Sequence, residues 1–222
     1  MAPATPMLPN TRGGDGFFKD SDYKTMGMDS SNLYVVYLSF QFILGAPGII
    51  GAAVAAFYLK DAHVCGRLET LGSNSLSAVY LSIAFLYIAF TLINANLGTA
   101  RRPTRVNVPD QHAYRVYGGA GDGGNVFMND EGALGSFNRA QRALANFEEI
   151  LPFVIVMTVA SSYVFPWTSF AMVVILGACR VKGAIDYTDD RMKRMTGNMV
   201  ATAMLANLFT MCICIGVFSL MK

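Results

Sequence analysis

A stripe of polar side chains leads into a long apolar run near the middle of the chain. Arg142, Asn146 and Glu149 follow one another at i, i+4 and i+7, so a helix would place all three on one face. A charged side chain at membrane depth costs roughly 2.5 to 3.5 kcal/mol on insertion scales unless it is partnered. The spacing therefore predicts a site for a polar ligand. A second interpretation stays open, in which Arg142 and Glu149 pair with each other or with lipid headgroups.

The composition is that of a membrane protein. Hydrophobic residues make up 53% of the 222 residues and charged residues only 14%, against about 25% charged residues in soluble domains. The formal net charge is +2, and no basic, aromatic-interleaved pattern predicts a nucleic-acid interface. The four cysteines and two histidines lack metal-ligand spacing, so no metal is expected.

Four runs are nearly free of charge, and each exceeds the roughly 20 residues that cross a bilayer core. They comprise residues 33–59, 71–100, 150–179 and 195–221. Pro166 lies within the third run, where it favours a tight turn and the first position of a new helix. We therefore expect two helices there, over about 136–164 and 167–187. The sequence predicts an all-α membrane protein with five spans, and four spans are the alternative.

The charges between the spans favour five over four. With five spans, one side of the membrane carries the N-terminal tail and the loops 101–142 and 180–194, together with most of the 17 Lys and Arg residues. The other side holds only Lys60, Arg67 and Lys222. Because cytoplasmic loops carry an excess of Lys and Arg, we expect the N-terminus and both basic loops in the cytosol.

Two segments have the composition of connectors. Residues 1–32 are rich in Gly, Pro, Asp and Ser and show no apolar period, which predicts a disordered cytosolic tail. The run Gly118–Gly124 contains the pattern G-x-G-x-x-G. No βαβ unit surrounds that pattern, so it favours a flexible connector over phosphate binding.

The segment from Arg142 to Pro152 resembles the signature R-A-x-x-N-x-x-E-x-x-P of the MAPEG family, the membrane-associated proteins of eicosanoid and glutathione metabolism. The resemblance extends over about residues 76–222 and is nearest to the microsomal glutathione transferase and leukotriene C4 synthase branch. It implies a four-helix domain, here residues 71–222, that forms a homotrimer in the endoplasmic reticulum or another organelle membrane. The helix over 33–59 is then an additional N-terminal span.

The same resemblance implies which residues form the site. Arg102 is the second of the paired arginines that end the family's first helix, and it would activate the thiol of glutathione. Glutathione itself would be bound by Arg101, Arg142, Asn146, Glu149, Tyr187 and Arg194.

These residue types suit the chemistry of glutathione, which carries two carboxylates, one ammonium group and a thiol. The guanidinium group of arginine binds a carboxylate through two parallel hydrogen bonds. Glu149 can accept hydrogen bonds from the ammonium group, and Tyr187 offers a hydroxyl. A thiol with a pKa near 8.5 is mostly protonated at neutral pH. Lowering that pKa by about two units requires roughly 2.7 kcal/mol, which a partly desolvated contact with Arg102 can supply.

The resemblance thus implies a membrane glutathione transferase or peroxidase that acts on a lipophilic electrophile or a lipid hydroperoxide. Two alternatives remain. Gly183, Ile150 and Leu144 depart from the family's usual residues, which favours a non-catalytic protein of the same fold that binds lipid. The extra helix and the long loop after Arg102 favour a structural subunit of a larger membrane complex.

Overall fold

A computed structural model describes residues 16–108, 110–117 and 124–221 of the chain. Part of the predicted disordered tail, residues 1–15, and most of the glycine-rich run, residues 118–123, lie outside the described residues. In chain order the helices are α1 (Asp22–Thr25), α2 (Leu33–Ala53, continued by a π-helical turn over Val54–Tyr58), α3 (Ala62–Ser73), α4 (Ser77–Arg101, continued by a 3-10 turn over Arg102–Thr104), α5 (Gly132–Ser162), α6 (Pro166–Asp189) and α7 (Arg194–Leu220). A hairpin of β1 (Tyr114–Tyr117) and β2 (Asn125–Met128) lies between α4 and α5.

In the described part of the chain, five helices are long and apolar enough to cross a membrane, namely α2, α4, α5, α6 and α7. The predicted all-α membrane fold with five spans is therefore confirmed. Pro166 is the first residue of α6, where its missing N–H leaves no helical hydrogen bond unmade. The third apolar run accordingly folds into two spans.

The second predicted span begins later than expected. Its apolar run starts at residue 71, whereas α4 begins at Ser77, because a separate short helix precedes it. The carboxylate of Asp61 caps that helix, α3, by accepting the N–H of Val64 at 2.9 Å. Ser75 has a left-handed backbone with φ 56°, which ends α3 and turns the chain before α4.

Helices α4 to α7 form one bundle around an apolar core. Its largest side chains are at most 1% exposed, and they include Ile93, Phe137, Phe147, Leu176 and Leu208. A glycine lets α6 and α7 approach closely, since a Cβ on Gly197 would lie 2.8 Å from the carbonyl oxygen of Cys179. Small residues at such contacts are how helices pack in membranes, where lipid removes most of the hydrophobic drive to associate.

The additional span, α2, packs against α4 on the outside of this bundle. The hydroxyl of Tyr34 donates to Oδ1 of Asn96 at 3.1 Å, and the hydroxyl of Tyr87 donates to Oε1 of Gln41 at 2.7 Å. No residue in the most apolar stretch of α2 is buried. Most of the α2 surface is therefore left for contact with lipid or with another protein.

Residues 16–32, which the sequence predicts to be disordered, are folded onto the end of α4. Tyr23 is 9% exposed. Asn107 holds this segment, because its Nδ2 donates to the carbonyl of Asp20 at 2.8 Å and its Oδ1 accepts the N–H of Asp22 at 2.9 Å. Composition misses these contacts since the partners lie 85 and 87 positions apart in the sequence.

The loop after α4 contains a hairpin where the sequence predicts only a connector. Strands β1 and β2 pair antiparallel, with Tyr114 opposite Met128. Asn138 of α5 fastens the base of the hairpin, because its Nδ2 donates to the carbonyls of Ala113 and Asn129, both at 2.7 Å. The hairpin, residues 16–32 and the turn between α6 and α7 all lie at one end of the bundle, the end that the loop charges predict to be cytosolic.

Candidate functional site

The polar stripe predicted from the sequence lies on α5. Arg142 Nη1 and Glu149 Oε1 are 3.9 Å apart, and their side chains are 53% and 60% exposed. The interpretation in which these two residues pair with each other therefore describes this structure. Exposed pairs contribute only about 0 to 1 kcal/mol, so the pair can open for a ligand at little cost.

Arg142 lines a cavity of about 330 Å³, hereafter the arginine cavity. Three arginines from α5 and from the turn after α6 contribute to its wall, together with one carboxylate. Its polar members include Asp130, Asn138, Arg139, Arg142, Tyr187 and Arg191. A space of this size is within the range of small-molecule sites, roughly 300 to 1,000 Å³, and its excess of guanidinium groups favours an anionic ligand.

Arg139 builds one wall of the arginine cavity by holding the end of α6. Its Nε donates to the carbonyl of Tyr187 and its Nη2 to the carbonyl of Thr188, both at 3.0 Å. Its Nη1 donates to the carbonyl of Asp130 at 2.8 Å. The last carbonyls of a helix lack partners within the helix, and a cation there also offsets the negative end of the helix dipole. Arg139 thus fixes the position of Tyr187.

Tyr187 connects this cavity to the start of α7. The guanidinium carbon of Arg194 lies 4.7 Å from the centre of the Tyr187 ring, which is a cation–π contact. Arg194 is the first residue of α7, so the contact spans the turn between α6 and α7. Two residues that the family resemblance places together are therefore adjacent in the fold.

Asn146 faces inward, into an enclosed space of about 10 Å³ that also borders Arg180, Gly183, Tyr187 and Asn198. Such a space holds about one water molecule, so the ligand itself cannot lie in it. Nη1 of Arg180 donates to Oδ1 of Asn198 at 3.3 Å. A Cβ on Gly183 would lie 3.1 Å from that same oxygen. Position 183 is one of the positions that depart from the family pattern, and the glycine there leaves room for the Asn198 amide.

Arg101 lines a second cavity of about 420 Å³, hereafter the α4-rim cavity. Its polar members are Tyr23, Tyr37, Asn94, Arg101, Gln111 and Gln141. The guanidinium carbon of Arg101 lies 5.2 Å from the centre of the Phe137 ring, and its Nη2 reaches Oε1 of Gln141 at 3.5 Å. Within the described part of the chain, its Nε is buried and has no hydrogen-bond partner.

Arg102, the predicted thiol activator, is engaged by the N-terminal segment. Its Nη1 donates to the carbonyls of Ser31 at 2.8 Å and Met28 at 3.3 Å. Arginine has five N–H donors, so these two bonds from one nitrogen leave the donors on Nη2 and Nε for other partners. The role of Arg102 beside a thiol stays a prediction.

The predicted site residues thus fall into two groups. In the first group, Arg142, Asn146 and Glu149 lie along α5, with Tyr187 near the end of α6 and Arg194 at the start of α7. In the second group, Arg101 and Arg102 lie at the end of α4. Sequence reasoning missed Arg191 and Asn198. Neither stands in a motif, and each becomes a candidate only because the turn after α6 and the first turns of α7 fold against α5 and α6. No three His, Cys, Asp or Glu residues come together as metal ligands among the described residues.

The match to known families covers the four-helix bundle. A sequence model of the MAPEG family matches residues 77–214. That range is well over half of the chain, and it begins with the first residue of α4 and ends within α7. A search of curated proteins found none that matches the chain.

Proposed function

Because the chain belongs to the MAPEG family, we propose that it is a membrane glutathione transferase or peroxidase. As a transferase it would bond the glutathione sulfur to an electrophilic carbon of a lipophilic substrate, with the leaving group departing from that carbon. As a peroxidase it would convert a lipid hydroperoxide and two glutathione molecules to the alcohol, water and glutathione disulfide. Both reactions begin from the thiolate.

The observation that carries this proposal is the arginine cavity, because its charges complement those of glutathione. Arg142 and Arg191 line it and can together bind one of the two carboxylates. Asp130, in the same wall, and Glu149, paired with Arg142, can accept the ammonium group. Tyr187 adds a hydroxyl at the edge nearest Arg194.

A second copy of the chain would unite the two groups of predicted residues. Gln141 and Arg142 are neighbours on α5, yet Gln141 lines the α4-rim cavity and Arg142 the arginine cavity. The two cavities therefore open from different faces of one helix. We propose that in a homotrimer the α4-rim cavity of one subunit lies beside the arginine cavity of the next, so that a single glutathione contacts both.

The thiol would then lie near the arginine pair that ends α4. Arg102 is proposed as the cation that stabilises the thiolate, through donors that its two carbonyl bonds leave unused. A cation near the sulfur lowers the thiol pKa because it favours the charged form. The reacting sulfur and the second carboxylate would face α4, where Arg101 lies, and the rest of glutathione would be held by α5 and α6.

A lipophilic partner has a route to this end of the bundle. A groove of about 420 Å³ runs between α4 and α6, and its lining is almost entirely apolar, including Phe85, Ile88, Leu92 and Val181. Lys182 and Asp186 pair with each other at its polar end. An apolar groove with a charged end suits an amphiphilic substrate dissolved in the membrane. Cytosolic orientation of this end and residence in the endoplasmic reticulum belong to the same proposal.

Glutathione binding tests the proposal directly. Isothermal titration calorimetry of the purified chain in detergent should show binding, and Arg142→Ala should raise the dissociation constant by tenfold or more, about 1.4 kcal/mol. Arg67→Ala is the matched control, since Arg67 lies in the exposed helix α3 at the other end of the bundle. Equal dissociation constants in the two variants would place glutathione outside the arginine cavity.

A non-catalytic, lipid-binding member of the family is the second candidate. Two observations favour it, namely the bonds between Arg102 and backbone carbonyls and the ion pair between Arg142 and Glu149. Ultraviolet absorbance of the thiolate separates the candidates. A transferase or peroxidase should show thiolate absorbance on adding glutathione, and Arg102→Ala should abolish it, whereas a lipid-binding protein should show none.

A further inference from the structure

The chain N-terminal to the family match reaches into the α4-rim cavity. The match begins at residue 77, yet Tyr23 and Tyr37 line this cavity beside Arg101. Their hydroxyl oxygens lie 3.2 Å apart. Both hydroxyls lie over Gly98, where a Cβ would come within 2.8 Å of the Tyr23 oxygen and 3.2 Å of the Tyr37 oxygen. The bundle alone would therefore leave this cavity without two of its polar groups.

Arg101 makes the α4-rim cavity a site for an anion. Its Nε is buried without a partner among the described residues and is out of reach of a ligand. Its Nη2 contacts Gln141 at 3.5 Å, which is at the outer limit for a hydrogen bond. Arg101 is also the only charged residue among the described residues that line the cavity. A guanidinium can only donate, so its unmet donors call for acceptors with negative charge.

The tyrosine pair can supply one more donor to the same anion. Burial raises the pKa of Tyr23 above its usual range, and the hydrogen bond with Tyr37 raises it further. The Tyr23 hydroxyl therefore stays protonated at neutral pH. The bond between the two tyrosines uses one hydroxyl proton, which leaves the other proton of the pair for a ligand in the cavity.

We propose that Tyr23 and Tyr37 are ligand-binding residues, and that the remaining hydroxyl proton donates to the carboxylate bound by Arg101. This inference rests on the proposed function for the identity of the ligand, glutathione. It assigns to the N-terminal segment a part in selecting the substrate: a thiol compound that lacks a carboxylate at this position gains nothing from the pair. The family-matched bundle and the N-terminal segment then share one binding site.

Calorimetry with glutathione on the full-length chain tests this role. Tyr37→Phe keeps the ring and removes the hydroxyl, and we expect it to raise the glutathione dissociation constant fivefold or more. Tyr87→Phe is the matched control, because Tyr87 also joins α2 to α4, through Gln41, but lies outside the cavity. The glutathione dissociation constant of Tyr87→Phe should stay within twofold of the wild-type value. Thermal unfolding of both variants shows whether either substitution perturbs the fold.

A second variant approaches the same groups from α4. Gly98→Ala adds a methyl group within 2.8 Å of the Tyr23 hydroxyl, which displaces the pair without changing any polar residue. The affinity of Gly98→Ala for glutathione should fall, as that of Tyr37→Phe does. One outcome would overturn the role of the tyrosine pair and leave the proposed function standing. In that outcome wild type binds glutathione and Arg142→Ala weakens the binding, but Tyr37→Phe and Gly98→Ala bind glutathione as tightly as Tyr87→Phe does. If wild type binds no glutathione, both fall.

Discussion

The arginine cavity and the α4-rim cavity lie at the same end of the bundle, but they are built differently. The arginine cavity draws its charged groups from Asp130 just before α5, from the first turns of α5 and from the turn after α6, all inside the family match. The α4-rim cavity takes two tyrosines from the chain before that match. One cavity therefore carries the charge that the family fold supplies, whereas the other carries a feature of this chain's own N-terminal segment.

The walls of the two cavities are also held in place by different hydrogen bonds. The arginine cavity depends on charged hydrogen bonds from one side chain, Arg139, to the end of α6. The α4-rim cavity depends on hydrogen bonds that fold residues 16–32 onto α4, made by the amide of Asn107 and by Arg102. Because Arg139 bonds to more carbonyls than Arg102 does, we expect loss of Arg139 to cost more stability than loss of Arg102.

The largest effect is expected for Arg139→Ala. It removes the bonds to the carbonyls of Tyr187, Thr188 and Asp130, which are part-buried or exposed. Such hydrogen bonds contribute about 1 kcal/mol each, so the free energy of unfolding should fall by about 2 to 3 kcal/mol, measured by thermal unfolding in detergent. Arg139→Lys keeps the positive charge but not the planar guanidinium group, and it should lose less stability than Arg139→Ala. A wild-type melting temperature for Arg139→Ala would contradict this account of the cavity wall.

Gly197→Ala should come next. The new Cβ would lie 2.8 Å from the carbonyl oxygen of Cys179, so α6 and α7 must separate, at about 1 to 3 kcal/mol for an overpacked contact. Gly216→Ala is the control, since no atom lies within 4 Å of its Cβ position, and it should be close to neutral. Glutathione affinity should fall through displacement of Tyr187 and Arg194. Equal melting temperatures for the two variants would show that the helices are not in contact at Gly197.

Arg102→Ala should loosen the α4-rim cavity and leave the arginine cavity intact. Loss of its bonds to Met28 and Ser31 should cost about 1 to 2 kcal/mol locally. Faster tryptic cleavage after Lys19 and Lys24 in limited proteolysis measures this loosening. Arg115→Ala is the control, because its exposed pair with Glu131 in the hairpin region holds no part of residues 16–32. Equal cleavage rates in both variants would rule out a clamp at Arg102.

The smallest effect on stability is expected for Glu149→Gln. Its pair with Arg142 is exposed and 3.9 Å long, so the free energy of unfolding should change by less than about 1 kcal/mol. Glutathione affinity should nevertheless fall about tenfold if Glu149 holds the ammonium group. The experiment measures the melting temperature and the glutathione dissociation constant of the same variant. A dissociation constant equal to that of wild type would show that Glu149 does not bind glutathione.

Local patterns account for the parts of the structure that were predicted correctly. Apolar runs long enough to cross a bilayer gave the five spans, and Pro166 gave the break between α5 and α6, because both depend on a few neighbouring residues. The face shared by Arg142 and Glu149 followed from helical periodicity. The start of α4 was placed too early, since the apolar run begins within the last turn of α3 and only the left-handed turn at Ser75 divides the two helices.

Long-range contacts account for what was missed. The sequence by itself determined the number of spans, the shared face of Arg142 and Glu149, and the family, because periodicity, length and motif spacing are local properties of the chain. Only the tertiary structure decided that residues 16–32 cover the end of α4, that Tyr23 and Tyr37 meet over Gly98, and that Arg101 and Arg142 open into separate cavities. These features depend on which surfaces meet after the helices pack, and residues far apart in the chain form them.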